Sequence, residues 1–468
     1  MSNQPNIILI TADDMNWDAV GAYGCLTADT TPNIDRLASE GMRFDYAHVT
    51  IAVCQPSRST LMTGLYPHNN GGEGFYNLRH ANLPILPVLL RNAGYRTGIL
   101  GKVPHSTPYS DFQWDMCYDM KDLGMGRNPG IYRNYTREFI RDSRHTNTPF
   151  FLMANSHDPH RPFYGNDKQE WYSELSPKAL PPSRTFKPEE VSIPGFLEDL
   201  PEVRLEISEY YNSVRRCDDT VGEILDELDK QGLAENTIVI FLSDNGMAFP
   251  FAKTNCYLNS TRTPWIVRWP SVIKKNLVDN EHFISGIDLL PTLLDVTGIK
   301  PTNNFDGRSF LPVMQGQHQD HRKMVFTQFH QTAGKRNYPM RCVQNRRFGY
   351  IFNPWSDGKR IFKNESQSGR SFKSMEHAAE TNPDIMERVN LFLYRVPEEL
   401  YDFEKDANAI TNLINEPEYA DVLNDLRQQM EAIMLDTHDP ALEAFRQRGD
   451  ESAICSLFED MHKSIGGE

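Results

Sequence analysis

Four short strand-like runs, three of them apolar and each leading into polar residues, limit what this chain can fold into more than any other feature. Asn6 to Ala12 runs into Asp13-Asp14, Arg96 to Leu100 into Gly101-Lys102, Phe150 to Ala154 toward His157-Asp158-Pro159-His160, and Thr237 to Leu242 into Ser243-Asp244-Asn245-Gly246. A continuous apolar run has no polar face to offer water, so it suits a strand covered on both sides in a parallel sheet between helices. Helical patterns lie between these runs. Leu83 to Ala93 is stopped by Gly94, and Ile207 to Leu228 carries Ile207, Tyr211, Val214, Val221, Leu225 and Leu228 on one face, with Gly232 past its end. The expected class is α/β, a large mixed, mostly parallel sheet sandwiched by helices. In open α/β sheets ligands bind outside the carboxyl ends of the strands, where these polar clusters stand.

Beyond about residue 320 the pattern changes. Met324 to Phe329, Met340 to Val343 and Phe348 to Phe352 read as strands with short connections, and a late helix carries Val422, Leu423, Leu426, Met430 and Ile433 on one face. A chain of 468 residues exceeds what one small core organises. The expected division is an α/β domain over 1–320 and a smaller C-terminal α+β subdomain over 321–468, with a small antiparallel sheet and a terminal helix. Trp355 to Thr381 reads as a long loop.

The formal net charge of -15 argues against nucleic acid or an anionic membrane surface as a partner, since either polyanion would meet net repulsion. An anionic substrate would need cations concentrated at its site. No apolar run reaches the roughly 18 to 20 residues of a transmembrane segment, and the chain enters its first strand without a basic-then-apolar leader. The expectation is a cytoplasmic protein if the chain is complete, and a periplasmic or secreted one if a signal was trimmed. Seven cysteines, an odd number without C-x-x-C spacing, argue against a disulfide framework. Cys25, Cys117, Cys217, Cys256, Cys342 and Cys455 read as structural thiols. Cys54 stands apart because of its neighbours.

Those neighbours are Cys54-Gln-Pro-Ser-Arg-Ser-Thr-Leu-Met-Thr-Gly64. Pro56 suits the first turn of a helix, which sets residue 54 at a helix N-terminus, where backbone N–H groups favour negative charge. Asp13, Asp14, Asp244 and Asn245 are oxygen donors at the ends of two of the apolar runs. Oxygen-only ligation suits a hard cation, Ca²⁺ or Mg²⁺, rather than zinc.

The segment from Cys54 to Gly64 resembles the sulfatase signature C-x-P-S-R with a later T-G, within the alkaline phosphatase superfamily. The resemblance implies an alkaline-phosphatase-like fold and oxidation of Cys54 to formylglycine by a formylglycine-generating enzyme, with Arg58 steadying the product. The hydrated aldehyde of that family offers one hydroxyl to attack sulfur and a second to expel sulfate, which splits the hydrolysis into two steps. The resemblance also implies that Asp13, Asp14, Asp244 and Asn245 hold a Ca²⁺ or Mg²⁺ together with residue 54. Lys102 and Lys253 match the family's sulfate-clamping lysines, and His157 matches the histidine that protonates the leaving atom. His105 departs from the pattern, because two residues rather than one separate it from Lys102, and its role stays open.

Segments outside the shared signature resemble the heparan N-sulfatase branch, the N-sulfoglucosamine sulfohydrolases or sulfamidases. They are His157-Asp-Pro-His-Arg161, Ser243 to Pro250, Thr254 to Tyr257, Tyr338 to Gln344 and Thr437 to Pro440. The substrate implied is a sulfated saccharide cut from its end, with Arg161, His330 and Arg341 as candidates for gripping hydroxyls or a carboxylate. A homodimer is compatible with the chain. An O-sulfatase, a phosphodiesterase or phosphonate monoester hydrolase of the same superfamily, and a non-catalytic binder of sulfated glycans are the other readings.

Overall fold

The structure is a computed structural model of the 468-residue chain, and residues 4–76, 78, 83–107, 111–166, 180–301, 303–450 and 454 are described. In chain order its strands are β1 (Asn6–Asp13), β2 (Met42–Phe44), β3 (Ala47–His48), β4 (Arg96–Leu100), β5 (Met116–Tyr118), β6 (Phe150–Pro159) and β7 (Thr237–Ser243). There follow β8 (Trp265–Arg268), β9 (Leu277–Asp279), β10 (Ile284–Ser285), β11 (Met324–Gln331), β12 (Asn337–Asn345), β13 (Phe348–Phe352) and β14 (Glu398–Asp402).

Eight strands make one mixed sheet in the order β5-β4-β6-β1-β7-β8-β2-β9, parallel except where β8 runs against β7 and β2. Strands β1, β6 and β7 are buried along their whole length, and the apolar runs within them need cover on both faces. Alternate residues go to opposite faces. Ile8 and Ile10 join the core under helices Pro129–Thr146 and Pro201–Lys230, while Ile7 and Leu9 join the core under helices Cys54–Thr63 and Leu289–Thr297. In register, Ala12 lies beside Ser243 and Asp13 beside Pro159. Three separate chain segments therefore deliver their polar ends to the carboxyl end of the central strands.

The helix expected from Leu83 runs over Leu86–Asn92, with Pro87 in its first turn. Strands β11, β12, β13 and β14 form an antiparallel sheet, against which the helix Ala420–Asp436 packs Leu426, Met430 and Met434. Strand β14 is not anticipated by the sequence, where Glu398-Glu399-Leu400-Tyr401-Asp402 offers only two apolar residues. The long loop expected over Trp355 to Thr381 is corrected, because Glu365–Ser368 forms a 3-10 turn and Arg370–Ala379 a helix. Phe372, Met375 and Ala379, spaced three and four apart, bury one face of that helix. No helix among the described residues is long and apolar enough to cross a membrane.

Candidate active site

Cys54 is the first residue of the helix Cys54–Thr63, entered through extended Val53 and closed by Gly64 in the left-handed conformation at φ 68°. Its Sγ lies 3.4 Å from Asp13 Oδ1 and 3.9 Å from Asp14 Oδ1. Burial, reinforced by Asp13, Asp244 and Asp14 against the opposing charge of Lys253, pushes the thiol well above its ordinary range. Thiolate, not thiol, is the nucleophilic form of cysteine, so an unmodified Cys54 has little chemistry to offer here.

The acidic residues at the ends of β1 and β7 converge beside it. Asp13, Asp14 and Asp244 are fully buried, with carboxylate oxygens within 4.8 Å of one another. Asp14 holds a left-handed backbone at φ 69°, a costly state for a residue with a side chain, and its N–H donates to Asp244 Oδ1 at 3.1 Å. Asn245 Nδ2 donates to Asp14 Oδ1 at 2.7 Å, leaving Asn245 Oδ1 buried with no hydrogen-bond partner among the described residues. Burial, then the opposing charge of Lys253 and the repulsion of Asp13, leaves Asp14 pushed up to about 6. Burial and the Asp13 charge push Asp244 to about 7. Burial would raise Asp13 as well, but Lys102, His160, Arg58 and Lys253 hold it well below the usual carboxylate range. Crowded carboxylates beside an orphaned amide oxygen form an oxygen-only donor set that fits a hard divalent cation.

Three buried cations balance these acids. Arg58 sets Nε 2.9 Å and Nη2 2.8 Å from Asp244 Oδ2, and its Nη1 donates to Thr11 Oγ1 at 2.9 Å and Asn155 Oδ1 at 2.7 Å. A guanidinium so committed holds Asp244 in place rather than presenting itself to a ligand. Lys102 pairs with Asp13, and Lys253 Nζ lies 2.8 Å from Asp14 Oδ1 and 2.6 Å from Glu365 Oε1. Burial opposes both ammonium charges, yet Asp13 holds Lys102, and Asp14 with Glu365 holds Lys253, above the ordinary range.

Cys54, His105, His160 and Lys253 open onto one cavity of about 730 Å³. Its far wall comes from the turn between β11 and β12, with Thr332, Gly334 and Arg336, and from the segment holding Lys363 and Glu365. His160 sets Nδ1 2.6 Å from Arg161 O, which fixes the proton on Nδ1 and turns Nε2 toward Asp14, 3.9 Å away. His105 is brought to the wall by the single turn Val103–Ser106, and burial with the Lys102 charge lowers it to about 3.

A family model described as Sulfatase matches residues 5–299 of this chain. The chain belongs to the sulfatase family. A second family model, the C-terminal region of N-sulphoglucosamine sulphohydrolase, matches residues 248–357. This sulfatase is 32% identical to the N-sulphoglucosamine sulphohydrolase of Homo sapiens, over 93% of this chain and 91% of that one. It is 27% identical to an ulvan-active sulfatase of Formosa agariphila, over 92% of this chain and 80% of that one. Among solved structures, a protein in complex with its substrate D-glucosamine-2-N,6-O-disulfate superposes with a TM-score of 0.69 at 20% identity, covering 93% of this chain and 99% of that one. A phosphonate monoester hydrolase of Agrobacterium radiobacter superposes with a TM-score of 0.67 at 19% identity, covering 93% and 96%. The fold of this sulfatase is the alkaline-phosphatase-like one that the resemblance of its signature implied.

Within this sulfatase the residues expected at the site separate into groups. Asp13, Asp14, Cys54, Arg58, Lys102, Asp244, Asn245 and Lys253 are brought together. His157 is not on the cavity wall. Its Nε2 accepts the Lys102 N–H at 3.1 Å, and its ring packs so closely on Gly126 that a Cβ there would lie 2.1 Å from His157 Cδ2. It therefore braces the Gly101-Lys102 turn, where Lys102 holds φ 51°. His160, three residues on along the same strand end, faces the cavity instead. None of Arg161, His330 and Arg341 lines the cavity. Arg161 is spent on Glu206 and Ala248 O, and His330 Nε2 lies 3.0 Å from Gln328 Oε1. Arg341 is fully buried in a two-pronged pair with Asp439, at 2.5 and 2.7 Å. Sequence reasoning missed His160 and Glu365. The first was visible in His157-Asp-Pro-His160, whereas nothing local to Glu365 announces its contact with Lys253.

Proposed function

We propose that this sulfatase removes sulfate from the terminal residue of a sulfated saccharide, with N-sulfoglucosamine as the preferred sugar. The observation that carries the chemistry is the convergence of Cys54, His160 and Lys253 on one cavity beside the buried acids. The sugar assignment is supported by the 32% identity to the human enzyme across nearly the whole chain. With residue 54 as formylglycine and a Ca²⁺ held by Asp13, Asp14, Asp244 and Asn245, the site would gain its nucleophile and a charge to hold the sulfate oxygens.

The chain's own residues do the rest. Lys253 and Lys102, both buried, place ammonium charge where the sulfate oxygens grow more negative. Arg58 fixes Asp244. His160 has its Nδ1–H held by Arg161 O, so Nε2 is the atom that passes a proton to the leaving nitrogen or oxygen. Burial and the two lysines keep the resting imidazole at about 4, and a bound anion offsets the lysine field and favours the proton's arrival. On the far wall Arg336 and Lys363 are exposed cations with no carboxylate partner among the described residues, a surface suited to an anionic saccharide in an otherwise acidic chain. The cavity volume lies in the range that encloses one small ligand.

Sulfate release from a saccharide ending in N-sulfoglucosamine should exceed that from one ending in a 6-O-sulfated, N-acetylated sugar by roughly 10²-fold in kcat/KM. Robust O-desulfation with no release from the N-sulfated terminus would overturn the sugar assignment and leave the family membership intact. An O-sulfatase is the second reading, favoured by the match to the ulvan-active sulfatase. Chelation should lower turnover by roughly 10³-fold or more, several kcal/mol of lost charge stabilisation, with Ca²⁺ or Mg²⁺ restoring it. Anomalous scattering that placed the active-site metal on His or Cys nitrogen and sulfur alone would contradict the oxygen donor set.

A further inference from the structure

Away from the active site, the turn between β9 and β10 meets the segment that leads toward β11, and there two histidines face each other. His282 Nδ1 lies 2.6 Å from Asp279 Oδ2, and His282 Nε2 lies 2.9 Å from His318 Nδ1. His318 Nε2 lies in turn 3.3 Å from Asp320 Oδ1, and Glu281 Oε2 is 3.6 Å from His318 Nδ1. Each ring thus has a carboxylate on its remote nitrogen and turns its other nitrogen to a common point. Ligand atoms of Glu281, His282 and His318 all lie within 4.8 Å of one another.

A carboxylate only accepts hydrogen bonds, so Asp279 commits the proton of His282 to Nδ1 and leaves a lone pair on Nε2. That lone pair faces His318 Nδ1 at 2.9 Å, with the Gln319 N–H donating to His282 Nε2 at 3.2 Å from one side. That lone pair is met either by a proton that His318 carries on Nδ1 or by a metal cation held between the rings. The carboxylate-histidine pairing is the arrangement that orients imidazoles in metal sites and raises their basicity. Zn–N bonds of about 2.0–2.1 Å in a tetrahedral site separate two nitrogens by roughly 3.3 Å, a few tenths more than the separation here. His318, whose side chain is 55% exposed, has the freedom to open by that amount.

We propose that His282, His318 and Glu281 bind one zinc-class transition-metal cation, with Asp279 and Asp320 as the orienting carboxylates and water in the remaining position. Imidazole donors distinguish this site from the oxygen-only active site. The metal would pin the passage from the first sheet to the second, where Arg322 Nη1 also reaches Asp288 Oδ2 at 2.8 Å.

The test is calorimetric titration of Zn²⁺ into the full chain held in excess Ca²⁺, comparing wild type with His318→Ala and Asp279→Asn. Wild type should take up one zinc that His318→Ala does not. Asp279→Asn should bind it about 10- to 100-fold more weakly, the usual cost of removing an orienting partner. Sulfate release by His318→Ala should be unchanged, which separates this site from the catalytic one. Equal zinc stoichiometry and affinity in wild type and His318→Ala would overturn the proposal. So would an Asp279→Asn variant, still folded by circular dichroism, that binds zinc as wild type does.

Discussion

Cys54→Ala is expected to lower sulfate release by roughly 10⁶-fold, the scale on which losing a covalent nucleophile slows a hydrolase. The expectation rests on the placement of Cys54 at a helix start, on the wall of the cavity and 3.4 Å from an acid of the proposed cation site. The substitution removes one buried sulfur, which should cost about 1 kcal/mol and leave thermal unfolding within a few degrees of wild type. Cys54→Ser sharpens the result. A serine hydroxyl can attack sulfur but has no second hydroxyl to expel the sulfate, so this variant should be blocked after the first step. Multiple turnovers by either variant, measured as released sulfate, would remove Cys54 from the mechanism.

The second large effect separates two histidines. His160→Ala should slow kcat by about 10²- to 10⁴-fold, the range for a lost general acid, because Nε2 of His160 is the imidazole nitrogen turned toward the acids and Cys54. The loss should be smaller on an N-sulfated sugar than on an O-sulfated one, since a sulfamate nitrogen is basic enough to take a proton before the S–N bond breaks, whereas an ester oxygen departs as an alkoxide unless an acid supplies one. His157→Ala should also reduce activity, but by releasing the Lys102 turn and leaving a void against Gly126. Its conservative variant tells the two roles apart. His157→Gln keeps an acceptor for the Lys102 N–H and should recover most of the activity lost in His157→Ala, whereas His160→Gln should recover none. Paired kcat and KM measurements on both sugars check this, and full activity in His160→Ala would refute the assignment.

Much of the fold was legible because apolar runs and helical spacing are local properties. The runs at Asn6, Arg96, Phe150 and Thr237 became β1, β4, β6 and β7, with β6 running past Ala154 to Pro159. Strand β14 and the helix Arg370–Ala379 escaped notice because their burial depends on what packs against them. The site shows the same division. Cys54, the acids and the lysines announce themselves by motif, and the sheet register brings them together. Which histidine faces the cavity is decided by the course of the chain at the end of β6, and one step of three residues separates a brace from a residue on the cavity wall. Arg341 shows the opposite failure. Arginine's fork suits a substrate carboxylate, but it suits the carboxylate of Asp439 equally well, and only the structure reveals which partner it has found.

The central claim is that residue 54 has been converted from the inert buried thiol into the group that attacks sulfate. Mass spectrometry of the peptide containing residue 54, taken from a preparation whose sulfate release has been measured, tests it directly. The account predicts an aldehyde or its hydrate at residue 54, captured by a carbonyl-reactive label, with activity rising in proportion to the labelled fraction. A fully active preparation in which Cys54 is entirely unmodified thiol would contradict it.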